Sequence, residues 1–114
     1  AAEALSTRAW VRALAGHDLA AALADADAAV AGAPQLAEVH DIRGLVRLRR
    51  DEPAQALGDY QAALKLRPAM VSALFGRGLA EKRLGNAAAQ EDLDHAAAVD
   101  PKVAGNFARY GLSP

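Results

Sequence analysis

The sequence predicts an all-α chain, a solenoid of three stacked helix-turn-helix units followed by a capping helix. Three observations carry this. Arg43-Gly44-Leu45 returns as Arg77-Gly78-Leu79 after 34 residues, and Arg8-Ala9-Trp10 stands 35 residues before the first of these. Pro34, Pro68 and Pro101 keep the same beat, at spacings of 34 and 33. Alanine makes up roughly a quarter of the chain, well above ordinary usage, while aromatic residues are 4%. Alanine is the strongest helix former and packs with little bulk, and the shortage of aromatic and β-branched residues argues against a sheet. A fixed period of this length is the mark of a repeat architecture.

The elements follow in order. First helices are expected at about Glu3–Ala15, Leu36–Arg50 and Ala69–Leu84, and second helices at about Asp18–Ala31, Pro53–Leu66 and Ala87–Val99. The units then run over about 3–36, 37–70 and 71–102 of one domain, 1–114. Small residues at Ala9, Gly44 and Gly78 let the two helices of a pair approach closely. Pro34, Pro68 and Pro101 lack an N–H and cannot continue a helix, so each ends the second helix of its unit. Asp51-Glu52-Pro53 puts proline at a helix start with acids at the positive end of the helix dipole. The length changes near Gly16-His17-Asp18 and Gly85-Asn86 fall in turns, where they are cheap. After Pro101, Val103, Phe107 and Tyr110 share one face at helical spacing. They predict a capping helix at about 102–110 that covers the last pair. Three stacked units are about the minimum for stability.

The middle unit, Ala37 to Met70, resembles the tetratricopeptide repeat. It carries Gly44, Ala56, Tyr60, Ala63 and Pro68 at the family's positions 8, 20, 24, 27 and 32. The third unit follows with Leu74, Gly78, Ala89, Leu93, Ala96 and Pro101. The first is degenerate: Leu5, Ala9, Ala22, Ala26, Ala29 and Pro34. Departures are His40 at position 4 and Ala26 at position 24. The resemblance covers nearly the whole chain. It implies a right-handed superhelix whose first helices line a concave groove, and the ending Phe107-Ala108-Arg109-Tyr110-Gly111-Leu112, after high-alanine repeats, is similar to the tails of repeat proteins from high-GC bacteria.

Carried over residue by residue, the resemblance implies a groove formed by Trp10, Leu14, Asp41, Leu45, Leu48, Arg49, Phe75, Leu79, Lys82 and Arg83. Trp10, Leu45 and Leu79 form an apolar ladder, and Arg49, Lys82 and Arg83 border it. An apolar stripe flanked by cations suits a peptide with an apolar anchor and an acidic flank. The alternative is that Trp10 packs on another element, with Leu45 and Leu79 packed between repeats. Family members that clamp the carboxylate of chaperone tails use Lys, Asn and Arg where this chain has Ser6, Trp10, Ile42, Ser72 and Gly76. That ligand is not expected.

The sequence argues against other classes. Net charge is -1, from 13 basic and 14 acidic residues, so no bulk field favours nucleic acid. The cluster Arg43, Arg47, Arg49, Arg50 reads as a solvated helix surface in local ion pairs with Asp41, Asp51 and Glu52. Arg8, Arg43 and Arg77 share one repeat position and are expected to play a repeated structural role, their stems laid on apolar neighbours. With no Cys there is no thiolate metal site, and His17, His40 and His95 have no metal-ligand spacing, so no metal or cofactor is expected. No apolar run is long enough to span a bilayer, and no membrane insertion is expected. The chain begins at Ala1 and reads as a processed chain or a piece of a longer one, with any further domain on the N-terminal side. The functional expectation is a soluble bacterial scaffold, cytoplasmic or periplasmic, that binds a protein or peptide and is not an enzyme. Two alternatives stand beside it: a regulatory tail of a larger enzyme, such as a retropepsin-like aspartic protease, and a self-association module forming homo-oligomers.

Overall fold

The computed structural model describes residues 1–16 and 18–114. The turn assigned to His17 lies outside the described residues. Among those described there are seven helices and no strand: α1 (Ala2–Ala15), α2 (Leu19–Gly32), α3 (Ala37–Arg49), α4 (Pro53–Leu66), α5 (Val71–Arg83), α6 (Ala89–Val99) and α7 (Val103–Arg109). α1 packs on α2, α3 on α4 and α5 on α6, and each pair packs on the next. The first helices also meet one another, α1 with α3 and α3 with α5. This is the neighbour pattern of a helical repeat.

Two turn chemistries alternate along the chain. Each second helix ends just before a proline. There the amides of Ala33, Arg67 and Asp100 bond to Ala29, Ala63 and Ala96, and those of Leu36, Met70 and Val103 bond back to Ala33, Arg67 and Asp100. Ala69 is thus spent in a turn, and α5 starts at Val71, two residues later than expected. Each first helix ends instead in a left-handed residue: Gly16 (φ 70°), Asp51 (φ 59°), Gly85 (φ 74°), with Gly111 (φ 76°) after α7. After α3, α5 and α7 the two closing bonds are those of a Schellman turn, for example Leu112 N–H to Phe107 O at 3.0 Å and Gly111 N–H to Ala108 O at 3.0 Å. Asp is one of the few side chains that tolerate the left-handed region. α7 thus ends in the same kind of turn as α3 and α5.

The core has two parts. Ala9, Ala13, Ala22, Ala26 and Val46 form a small cluster that joins α1, α2 and α3 through short side chains. The larger cluster holds Leu45, Leu48, Tyr60, Phe75, Leu79 and Leu93, and it extends to Val103, Phe107 and Leu112. Tyr60 is its wedge. The ring stands where a Cβ on Gly44 or Gly76 would sit, 2.8 and 2.2 Å from its Cζ, so both glycines are needed for α4 to reach between α3 and α5. Gly78 makes room for Leu93 in the same way.

The repeated arginines are placed by ion pairs. Arg8, Arg43 and Arg77 bond to Asp25, Asp59 and Asp92 on the partner second helix, at 2.7, 2.8 and 2.8 Å. Arg12 and Arg47 reach the same aspartates, at 2.8 and 2.9 Å. The partners expected for Arg43 and Arg47 were neighbours in sequence. They are Asp59 and Asp27 instead, because both guanidiniums point across the helix pair rather than along their own helix. Arg50 alone pairs locally, with Glu52.

Candidate functional site

The site is the face that α1, α3 and α5 present together. Helical spacing places Trp10, Leu45 and Leu79 at equivalent positions on the three first helices, and helix-to-helix packing sets them in a row. α7 packs on α5 and α6, and the residues after it reach across that row. Phe107 packs on Phe75, with ring centroids 4.8 Å apart, and on Tyr110 at 5.7 Å. Tyr110 then meets Trp10 edge to face, with centroids at 5.1 Å and planes at 79°. Arg49 donates to the Tyr110 carbonyl oxygen. Leu112 is buried among the core residues. α7 thus packs on the last pair, and Tyr110, the residue that ends it, reaches the first one.

The ten expected groove residues divide accordingly. Leu45, Leu48, Phe75 and Leu79 are buried. Trp10 is half-buried against the same cluster, and Asp41 and Arg49 are half-buried beside it. Lys82 and Leu14 remain exposed. Arg83 bonds to the Leu48 carbonyl at 3.0 Å and borders a second, open cavity with Leu79, Lys82, Ser113 and Pro114.

Between α7 and this face is a cavity of about 210 Å³. Trp10, Leu45, Phe107 and Tyr110 supply apolar and aromatic wall, and Asp41, Ser72, Asp100, Asn106 and Tyr60 supply polar groups. Ser72 O–H donates to the Asp41 carboxylate at 2.9 Å. Burial pushes that carboxyl up to about 6. The Ser72 bond opposes the rise, Glu38 adds to it and Arg67 opposes it. The Tyr60 hydroxyl is buried with no hydrogen-bond partner among the described residues. Burial, then the charges of Asp41 and Asp59, drive its pKa well above the usual phenol value.

No family model matches the chain, and no curated protein matches it.

Elsewhere, His40 is buried at its packing position, with Nε2 donating to the Pro34 carbonyl at 2.8 Å and Nδ1 unpartnered. No group of three or more His, Asp or Glu side chains that could hold a metal ion occurs among the described residues, and no helix there is long and apolar enough to cross a membrane. Sequence reasoning missed Tyr60 and Asp100 as cavity walls. Tyr60 belongs to a second helix, and only the paired glycines, Gly44 and Gly76, signalled that its ring passes between first helices. The apolar spacing of Val103, Phe107 and Tyr110 was legible, but its destination was not.

Proposed function

We propose that the chain is a protein- or peptide-binding scaffold of the tetratricopeptide kind, without catalysis of its own, and that its segment 103–112 occupies the face a partner uses. One observation carries the reading. The segment from α7 to Leu112, with apolar anchors Val103, Phe107 and Leu112, packs on the last helix pair and carries Tyr110 across to Arg49 of α3 and Trp10 of α1. This is the helix-in-groove mode by which such faces take partners. The segment acts as a built-in competitor, and a partner binds in proportion to the fraction of molecules in which it has lifted away.

The test uses the wild-type chain and a Phe107→Ala, Tyr110→Ala variant as bait in the source lysate, each with and without an excess of a synthetic peptide spanning residues 103–114. A protein captured more strongly by the variant and displaced by the peptide supports the reading. If neither bait retains a protein that the peptide displaces, while both are helical by circular dichroism, the face is only core. Capture of copies of the chain alone would point to self-association.

A further inference from the structure

The cavity beside α7 has a charge that the apolar ladder does not explain. Its lining includes two carboxylates, Asp41 and Asp100, and neither Lys nor Arg. The arginines nearby are engaged elsewhere: Arg67 with Glu38, Arg49 with the Tyr110 carbonyl, and Arg83 with the Leu48 carbonyl. Asp41 is bonded to the Ser72 hydroxyl and to no cation among the described residues. A half-buried carboxylate left without a counter-ion either takes up a proton or draws in a cation. Tyr60, fully buried, lines the same cavity, and its hydroxyl has no hydrogen-bond partner among the described residues. Trp10 and Tyr110 line the cavity too and meet edge to face at 79°.

We propose that this cavity binds an alkylammonium group, with Asp41 as its counter-ion, the Tyr60 hydroxyl as a neutral acceptor and the rings of Trp10 and Tyr110 as cation–π partners. Aromatic faces attract ammonium ions through the ring quadrupole, most strongly where water is excluded. An anion is disfavoured by both carboxylates. A neutral alcohol gains nothing from the charges. The volume of about 210 Å³ exceeds the roughly 150 Å³ that holds a benzene-sized ligand, so a four-carbon amine fits. The inference goes beyond the groove reading and is separable from it, because the cavity exists only with α7 in place, whereas a partner on the same face displaces α7.

Trp10 is the single tryptophan and reports from the cavity wall. Its fluorescence is followed in the whole chain at pH 8 and constant ionic strength, while n-butylammonium, n-butanol or butyrate is added. The expected result is a saturable change with n-butylammonium alone. Asp41→Asn weakens it by about tenfold or more, as expected for a charge-assisted contact, and Tyr60→Phe by about threefold. Tyr60→Phe removes only the hydroxyl, so it decides the matter should Asp41→Asn fail to fold by circular dichroism. A second arm compares n-butylammonium with the capped tripeptide Ala-Lys-Ala. Tighter binding of the peptide assigns the group to a lysine side chain, and weaker binding assigns it to a free amine. No saturable change with n-butylammonium, the same response to n-butanol, or affinity unchanged in a folded Asp41→Asn or Tyr60→Phe chain overturns the proposal.

Discussion

Glu81 stands four residues after Arg77, where Arg12 and Arg47 stand four after Arg8 and Arg43. In the first two units the second-helix aspartate therefore receives two guanidiniums. In the third, Asp92 receives Arg77 and a second carboxyl. Burial, reinforced by the bond and charge of Asp92, pushes Glu81 up to about 7. Burial also works to raise Asp92, but its bonds from Arg77 and Glu81 outweigh that and hold it below the usual carboxylate value. Of the two acids, Glu81 is the one pushed toward holding a proton. In the unfolded chain Glu81 ionises near its ordinary value of 4.5. Between that value and about 7 the unfolded state thus holds fewer protons than the folded one, and stability falls as pH rises through this window. Asp41 adds a fall of the same sign between 3.8 and about 6. Glu81→Gln keeps a group that can donate to Asp92 and removes the titration. Its urea midpoint should exceed that of the wild type by a margin that grows from pH 5 to pH 8. A margin constant with pH would show that Glu81 is not the protonated partner.

At the scale of the element, helix approach depends on which glycine faces which ring. Gly44 and Gly78 were marked by the repeat as small positions, and both do face a neighbouring side chain, Tyr60 and Leu93. Gly76 stands outside those repeat positions, yet it has the tightest neighbour, because the Tyr60 ring is shared between α3 and α5. No period could reveal this: Ala26 and Leu93 occupy the matching place in the other units, and neither is long enough to cross between helices. Gly76→Ala gains helix propensity but forces the fully buried Tyr60 ring to move, a net loss of about 1–3 kcal/mol. Gly58→Ala, on an exposed part of α4 with nothing within 4 Å, should gain about 0.5–1 kcal/mol. Urea unfolding of the two variants checks both signs. A Gly76→Ala chain as stable as the wild type would mean that the ring does not fill the gap.

Across the whole molecule, the contact between Tyr110 and Trp10 changes what kind of object the chain is. In an open solenoid each unit touches only its neighbours, and stability is nearly a sum along the chain. Here the segment from α7 to Leu112 runs from the last pair past Arg49 on α3 to Trp10 on α1. The first unit needs the tie, since its own cluster is built almost wholly of alanine and buries little apolar area. Phe107→Ala should therefore speed amide exchange in α1 as well as in α7, while α4 stays protected. Exchange mass spectrometry reads each helix separately. Acceleration confined to α7 would show that the two ends are not coupled.

The sequence by itself determined the helices and the rhythm that joins them. Alanine content, prolines every 33 or 34 residues and paired small residues act through local chain conformation, and they placed every helix end within two residues. Only the tertiary structure decided what covers that face. Whether Phe107 and Tyr110 stop at the last pair or reach Trp10 depends on how far α5 and α3 lie from α7. The same holds for the aspartates: Asp25, Asp59 and Asp92 lie on second helices, and their role is set by arginines 15–17 residues away in sequence and under 3 Å away in space. Distances of that kind arise when helices pack, and no local pattern encodes them.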